Sequence, residues 1–197
     1  MLNIGVLVSG GGSNLQAIID GCESGDIKGN IKVVISNKED AFGLERAKKH
    51  NIKAIFEKNE DEVIRILKEE NVDLVVLAGY LKIISPKFVS EFRKKMMNIH
   101  PSLIPSFCGD GFYGERVHQA VIDYGAKVSG ATVHFVNEEA DAGPIIMQDT
   151  VKVMDDDDAK TLAKRVLKVE HTILPKCVKL FCEGKITVEG RKVSVNE

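Results

Sequence analysis

The chain has 197 residues, 44% of them hydrophobic and 28% charged, with a formal net charge of −2 at pH 7. These values are typical of a globular protein with one core, and they give no general attraction to nucleic acid or to anionic membranes. No apolar run reaches the ~20 residues that span a bilayer, and the N-terminus lacks signal-peptide features. The four cysteines form no C-x-x-C pair, which argues against a zinc or thioredoxin-type motif. We therefore expect a cytoplasmic protein with no metal site, no nucleic-acid partner and no membrane contact.

Short apolar runs alternate with amphipathic stretches along the first half of the chain. The apolar runs predict strands at 4–8, 31–35, 54–56, 74–78 and 97–99. The stretches between them predict helices at 14–22, 41–50, 60–70 and 87–95. This alternation predicts an α/β fold with a doubly wound, mostly parallel sheet that is covered on both faces.

The second half has a different pattern. A helix at 114–124 is followed by two longer strands, 130–136 and 144–153, which we predict to form an antiparallel portion. The acidic run 155–158 is suited to cap a long helix that ends near Cys182, with a kink at Pro175. A hairpin at 185–193 closes the chain. Because no repeat or linker is visible, we predict a single domain over 1–197.

A glycine-rich segment, 9–16 (SGGGSNLQ), follows the first strand and opens the first helix. Glycines allow close backbone approach to an anion, and the free N–H groups at the helix start point towards it. Gly12, Ser13 and Asn14 are therefore candidates for binding a phosphate. Leu15 stands where the third glycine of a dinucleotide-binding fingerprint would lie, and no Gly-Lys-Ser/Thr of a P-loop follows. The alternative is an ordinary tight turn between strand and helix.

The segment 97–105 (MNIHPSLIP) places an amide and an imidazole at the end of a predicted strand. Strand alternation puts Asn98 and His100 on the same side of the backbone. An amide can donate to a developing oxyanion, and an imidazole can exchange protons near neutral pH. This pairing is suited to acyl transfer, and ligands of open α/β sheets bind at this end of the strands. The alternatives are a structural histidine and an asparagine that belongs to the turn.

Asp141 begins the turn DAGP, which follows the predicted strand that carries His134. A carboxylate there could raise the pKa of a nearby imidazole by favouring its charged form. The alternative is a solvated turn aspartate. His134 has apolar neighbours on both sides, and we interpret it as a sheet-packed histidine that supports the site from behind.

The remaining ionisable candidates lie on predicted helices. Glu170 and His171 belong to the long helix, where a surface pair is the plainer interpretation. We interpret His50 and His118 as solvated helix positions.

Three segments together resemble the 10-formyltetrahydrofolate-dependent formyltransferases: 9–16, 98–105, and 134–136 with 141–144. The resemblance extends to 36–38 with 41–47 and to 76–80, so it covers nearly the whole chain. It implies a Rossmann-like formyltransferase fold. It also implies transfer of a formyl group from the co-substrate 10-formyltetrahydrofolate to the amine of glycinamide ribonucleotide, in purine synthesis.

The resemblance also implies roles for individual residues. Asn98 would hydrogen-bond the formyl oxygen, His100 would act as an acid or electrostatic stabiliser, and Asp141 would hold His100 and a bridging water. The ribonucleotide would be held at its phosphate by Gly12, Ser13 and Asn14, and at its glycinamide part by Glu170. The folate would contact, largely through backbone groups, Lys58, Leu81, Lys82, Ile83, Ile84, Asn98, Asn137, Glu138, Glu139, Ala140 and Asp141. Residues 1–100 would then form the ribonucleotide half, and residues 101–197 the folate-binding and closing half.

The chain departs from the family pattern in three places. The loop 106–114 (SFCGDGFYG) replaces a usual Pro-Gly-x-His sequence, Lys58 is the only basic residue near a missing arginine, and Leu167 replaces a polar residue. Three other functions are compatible with parts of this pattern. A deformylase would hydrolyse the same donor, a methionyl-tRNA formyltransferase would need a further domain and a basic surface, and a binding module would bind without turnover. The sequence leaves monomer and homodimer open.

Overall fold

The computed structural model describes residues 1–196 and contains one seven-stranded sheet that runs through both halves of the chain. Five strands are parallel: β1 (Leu2–Val8), β2 (Gly29–Ser36), β3 (Lys53–Phe56), β4 (Leu74–Leu77) and β5 (Met96–His100). Two antiparallel strands extend it: β6 (Val128–Phe135) and β7 (Ile145–Lys152). The strand order is β3-β2-β1-β4-β5-β6-β7. The mostly parallel sheet with an antiparallel portion is therefore confirmed.

The helices connect these strands, as the sequence pattern predicts. They are α1 (Ser13–Glu23), α2 (Phe42–Lys49), α3 (Glu60–Glu69), α4 (Pro86–Glu91), α5 (Glu115–Tyr124) and α6 (Ala159–Cys182). A separate hairpin of β8 (Ile186–Glu189) and β9 (Lys192–Val195) follows α6.

Helices cover both faces of the sheet, because successive residues of a buried strand point in opposite directions. On β1, Val6 packs in a core with residues of α1 and α6, whereas Leu7 packs in a second core with residues of α3 and α4. Both side chains are fully buried. The central strands are thus apolar on both faces, which explains why they read as continuous hydrophobic runs.

The end of α4 and the start of α6 are each set by a local feature of the backbone or a side chain. The predicted helix 87–95 ends earlier, at Glu91, because Lys94 adopts a left-handed conformation (φ 60°) and β5 begins at Met96. At the start of α6, the Asp158 side chain accepts a hydrogen bond from the Thr161 N–H, and the Thr161 hydroxyl accepts one from the Asp158 N–H. The predicted acidic cap of this helix is therefore confirmed.

The strand order identifies the end of the sheet at which a ligand would bind. β1 pairs with β2 on one side and with β4 on the other, so the order of the strands reverses between β1 and β4. In open α/β sheets, ligands bind outside the carboxyl ends of the strands at such a point. The glycine-rich loop after β1 and the last residues of β5 both lie at this carboxyl end of the parallel strands.

Candidate active site

Four polar side chains meet where β5 ends. Asn98 and His100 alternate along β5, and in the antiparallel register Asn98 lies opposite His134 of β6. Asp141 reaches the same place from the loop after β6, with a left-handed backbone (φ 53°). The structure therefore brings together the three predicted catalytic residues and the predicted supporting histidine.

The amide of Asn98 is oriented by its neighbours. The Nδ1–H of His134 donates to the backbone carbonyl of Phe135 at 2.9 Å, so Nε2 of that ring is free to accept. Asn98 Nδ2 donates to His134 Nε2 at 3.2 Å and to Asp141 Oδ1 at 3.4 Å. The second contact is long, so this N–H is the more weakly engaged of the two and the more available to an oxygen of a substrate.

His100 is nearly buried, with 5% of its surface exposed. Its Nε2–H donates to the backbone carbonyl of Phe107 at 3.0 Å, which leaves the lone pair of the neutral ring on Nδ1. That nitrogen lies 3.4 Å from Asp141 Oδ2. Burial lowers the pKa of His100, and the charge of Asp141 raises it by a smaller amount. The expected influence of the carboxylate is present, but burial outweighs it and the resting ring is neutral at pH 7.

Asp141 is held as a carboxylate rather than as a solvated turn residue. Burial raises its pKa, but the neighbouring His134 side chain, the charge of His100 and the Gly109 N–H together lower it by more, so the net pKa lies below the usual value. The Gly109 N–H donates to Oδ2 at 3.0 Å. The carboxylate is thus fixed between two imidazoles and can stabilise a positive charge on either.

The turn at 102–107 holds the carbonyl that fixes His100, and sequence reasoning missed it. Phe107 has a left-handed backbone (φ 50°), which aims its carbonyl at the ring. The fully buried Ser102 hydroxyl donates to the Ser106 carbonyl at 2.7 Å and reaches the Phe107 carbonyl at 3.2 Å. Thr132 of β6 donates to the Ser102 carbonyl at 2.7 Å.

The glycine-rich loop forms a sharp entry to α1. Gly12 is the N-cap residue of α1 with φ 69°, a conformation that favours glycine. The first N–H groups of a helix have no acceptor within it, and they carry partial positive charge. Gly12, Ser13 and Asn14 therefore lie where an anion would be bound.

Glu170 lies against this loop, and its interpretation as a surface residue is wrong. It is 8% exposed, and its Oε2 accepts a hydrogen bond from Asn14 Nδ2 at 2.6 Å. Burial raises the pKa of Glu170, while the bond from Asn14 lowers it by less. Within residues 1–196, Asn14 Oδ1 is buried without a hydrogen-bond partner.

The segments predicted to bind folate pack against a common apolar cluster. Ile84, after β4, and Val136, before the loop 137–141, pack against the same apolar cluster. The side chain of Lys82 donates to the Lys58 carbonyl at 2.8 Å, and Leu81 and Ile83 are exposed. These loops form a partly apolar rim beside the catalytic residues.

Three of the remaining predicted positions in this region are exposed: Glu138, Glu139 and Ala140. Asn137 is partly buried and accepts from the Glu139 N–H, and Glu138 pairs with Arg93.

Both histidines that were interpreted as solvated helix positions are less exposed than expected. His118 of α5 is 4% exposed rather than solvated, and burial lowers its pKa. His50 is partly buried between Gln16 and Glu23.

Two absences apply to residues 1–196. In that range, no group of three or more histidine, cysteine, aspartate or glutamate side chains is placed to hold a metal ion. Over the same residues, no helix combines the length and apolarity needed to cross a membrane.

Comparisons with known proteins agree with this geometry. The family model described as "Formyl transferase" matches residues 2–178. The chain is 42% identical to the chloroplastic phosphoribosylglycinamide formyltransferase of Arabidopsis thaliana, over 93% of this chain and 66% of that protein. It is 44% identical to the phosphoribosylglycinamide formyltransferase of Haemophilus influenzae, over 96% of this chain and 91% of that protein. The chain thus spans about two thirds of the plant relative and nearly all of the bacterial one.

Solved structures show the same relationship. Glycinamide ribonucleotide transformylase 1 from Symbiobacterium toebii superposes with a TM-score of 0.94 at 41% identity, covering 100% of this chain and 95% of that chain. A formyltetrahydrofolate deformylase from Pseudomonas syringae superposes with a TM-score of 0.89 at 29% identity, over 100% of this chain but only 66% of that chain. The fold and the resemblance are confirmed, and the chain belongs to the formyl transferase family.

Proposed function

We propose that this chain transfers the formyl group of 10-formyltetrahydrofolate to the amine of glycinamide ribonucleotide, giving formylglycinamide ribonucleotide and tetrahydrofolate in purine synthesis. The observation that carries the proposal is the cluster of Asn98, His100 and Asp141, which lies at the same end of the sheet as the glycine-rich loop that leads into α1. We call this loop the anion-binding loop. An acyl-transfer site and a phosphate site side by side are suited to a small phosphorylated acceptor.

Both substrate sites draw residues from the two halves of the chain in this proposal. The phosphate of the ribonucleotide binds the N–H groups of Gly12, Ser13 and Asn14, and Glu170 contacts the glycinamide part. The folate binds between the rim at 81–84 and the loop 137–141. Lys58 lies near the carboxylate end of the folate. Residues 1–100 thus hold the phosphate of the acceptor, while both halves of the chain contribute to the donor site.

The chemical step begins with attack of the amine nitrogen on the formyl carbon. A new C–N bond forms while the formyl oxygen becomes an oxyanion. The N–H of Asn98 that makes only the long 3.4 Å contact with Asp141 donates to this oxyanion. The bond between the formyl carbon and N10 of the folate then breaks.

His100 moves the proton in this step. Its ring is neutral before the reaction and has its lone pair on Nδ1, so it takes up a proton lost by the amine. The imidazolium that results donates from Nε2 to Phe107 and lies 3.4 Å from the Asp141 carboxylate at Nδ1. Returning that proton to N10 lets tetrahydrofolate leave and restores the neutral ring.

We further propose the cytoplasm as the compartment and a monomer or homodimer as the working state. All four cysteines, Cys22, Cys108, Cys177 and Cys182, are free thiols, which supports a reducing compartment.

The experiment that tests this function follows 10-formyltetrahydrofolate consumption by absorbance, with and without glycinamide ribonucleotide. The proposal predicts consumption only when the ribonucleotide is present. Consumption without an acceptor would establish the deformylase instead. Binding of both ligands without turnover would favour a binding module, and either result would overturn the proposal.

A further inference from the structure

Arg46 contacts the anion-binding loop, although it lies on a different helix. From α2, its Nε–H donates to the Gly11 carbonyl at 2.7 Å. Its Nη1 donates to Gln16 Oε1 on α1 at 3.2 Å. The guanidinium therefore bridges the loop and the helix that the loop opens.

A second contact from α2 fixes the preceding carbonyl. The Gly43 N–H donates to the Gly10 carbonyl at 2.9 Å. The loop packs so closely here that a Cβ on Gly12 would lie 2.7 Å from Gly43 Cα. Two consecutive carbonyls of the loop, those of Gly10 and Gly11, are thus both bonded to α2.

This arrangement has an electrostatic consequence. A carbonyl oxygen carries partial negative charge and would repel a phosphate if it faced the binding site. Because both oxygens are engaged by donors on α2, the N–H groups of the loop are left as the polar groups available to an anion.

The guanidinium is itself held in place. It lies over the Phe42 ring with its central carbon 5.0 Å from the ring centroid, and the side chain is partly buried. A planar guanidinium donates along two fixed directions at once, whereas a lysine ammonium acts as a point charge on a flexible stem. A lysine at position 46 would retain the charge but lose the two-point bridge.

We propose that Arg46 is a positioning residue of the phosphate site: by bonding the Gly11 carbonyl it keeps the loop in the conformation that binds the phosphate of the acceptor. This inference rests on the proposed function, since it concerns the same ribonucleotide site. Its effect falls on acceptor binding and leaves the chemistry at His100 alone.

The test compares Arg46→Ala and Arg46→Lys with a matched control, Lys49→Ala. Lys49 also lies on α2 with its ammonium 5.4 Å from the Phe42 centroid, so its removal deletes the same charge near the same ring without touching the loop. We expect both Arg46 variants to raise the KM for glycinamide ribonucleotide about 10- to 100-fold, the range for loss of a charged hydrogen bond. kcat, the KM for the folate and all values for Lys49→Ala should stay near wild type.

Isothermal titration with ribose 5-phosphate gives a readout that needs no turnover, and urea unfolding shows that each variant is folded. Weakened ribose 5-phosphate binding in both Arg46 variants supports the proposal. Normal binding by Arg46→Lys would show that charge alone matters and would overturn it, as would an equal loss of folate and ribonucleotide affinity. No binding by the wild type would contradict the phosphate site, and with it both the proposed function and the role of Arg46.

Discussion

Replacing Asp141 with asparagine removes the carboxylate from the catalytic cluster while keeping the shape of the side chain. An amide oxygen can still accept from the Gly109 N–H, so the loop should remain in place. What is lost is the negative charge 3.4 Å from Nδ1 of His100. The imidazolium of the proposed mechanism would then lack its counter-ion.

The size of the effect follows from that distance. Two unit charges 3.4 Å apart interact by about 5 kcal/mol at an effective dielectric constant of ~20. At ~1.4 kcal/mol for each power of ten, this sets a ceiling of roughly 10³- to 10⁴-fold on the rate. Because the Asp141 side chain retains 16% exposure, solvent replaces part of the interaction. We expect kcat to fall about 10²- to 10³-fold.

The pH profile provides a second readout of the same substitution. The Asp141 carboxylate favours the charged form of His100, so its loss lowers the pKa of that ring further. If the neutral ring is the active form, the acid limb of kcat/KM must move to lower pH in Asp141→Asn. Stopped-flow absorbance of the folate measures both quantities. Asp156→Asn, the same substitution at an exposed aspartate, serves as the control.

A kcat within about threefold of wild type, or an unmoved acid limb, would refute the coupling between Asp141 and His100.

Three further substitutions test other parts of the account. Gly12→Ala forces a side chain into a left-handed position against the backbone of α2, and should raise the ribonucleotide KM and cost about 1–2 kcal/mol in urea unfolding. A ribonucleotide KM equal to that of the wild type would contradict a role of this tightly packed loop in binding the ribonucleotide. Ser102→Ala removes the hydroxyl that supports the carbonyl holding the catalytic imidazole, and should lower kcat about tenfold with unchanged KM values. An unchanged kcat would show that the turn at 102–107 keeps its conformation without this hydroxyl. Asn14→Ala leaves Glu170 buried without its donor, and should raise the ribonucleotide KM while lowering the free energy of unfolding by about 1–3 kcal/mol. A change confined to the folate KM would place the acceptor elsewhere.

The fold was predictable because its strands and helices have strong hydrophobic patterns. The buried strands are continuous apolar runs, and the helices between them carry apolar residues at helical spacing. Strand alternation predicted that Asn98 and His100 lie on one side of β5, and the position of this strand end in the sheet together with the family resemblance pointed to a site there. Asp141 came from the family resemblance, because nothing in its local sequence distinguishes it from a solvated turn residue.

The burial of Glu170 and His118 was missed because both residue types usually lie at surfaces. The spacing nevertheless contained a signal. His118 lies on the face of α5 that also buries Val117 and Val121, and Glu170 lies on the buried face of α6 with Val166 and Leu174. A polar residue at an apolar position of a helix indicates a partner from elsewhere in the fold.

The contacts of Phe107 and Arg46 could not be predicted in the same way. The Phe107 carbonyl reaches His100 only because the backbone at Phe107 is left-handed, and the surrounding turn sets that conformation. Arg46 reaches Gly11 across 35 residues of sequence, through the packing of α2 against the loop. Both contacts depend on tertiary geometry that local patterns do not encode.

The most direct measurement of the central claim follows the formyl carbon itself. Donor labelled with ¹³C at the formyl group is incubated with glycinamide ribonucleotide, and the products are resolved by NMR for wild type and for His100→Ala. The account predicts that the label moves to the ribonucleotide amide in the wild type, at a rate lower by about 10²- to 10⁴-fold in the variant. Label recovered as free formate, or equal transfer by both proteins, would contradict formyl transfer by this site.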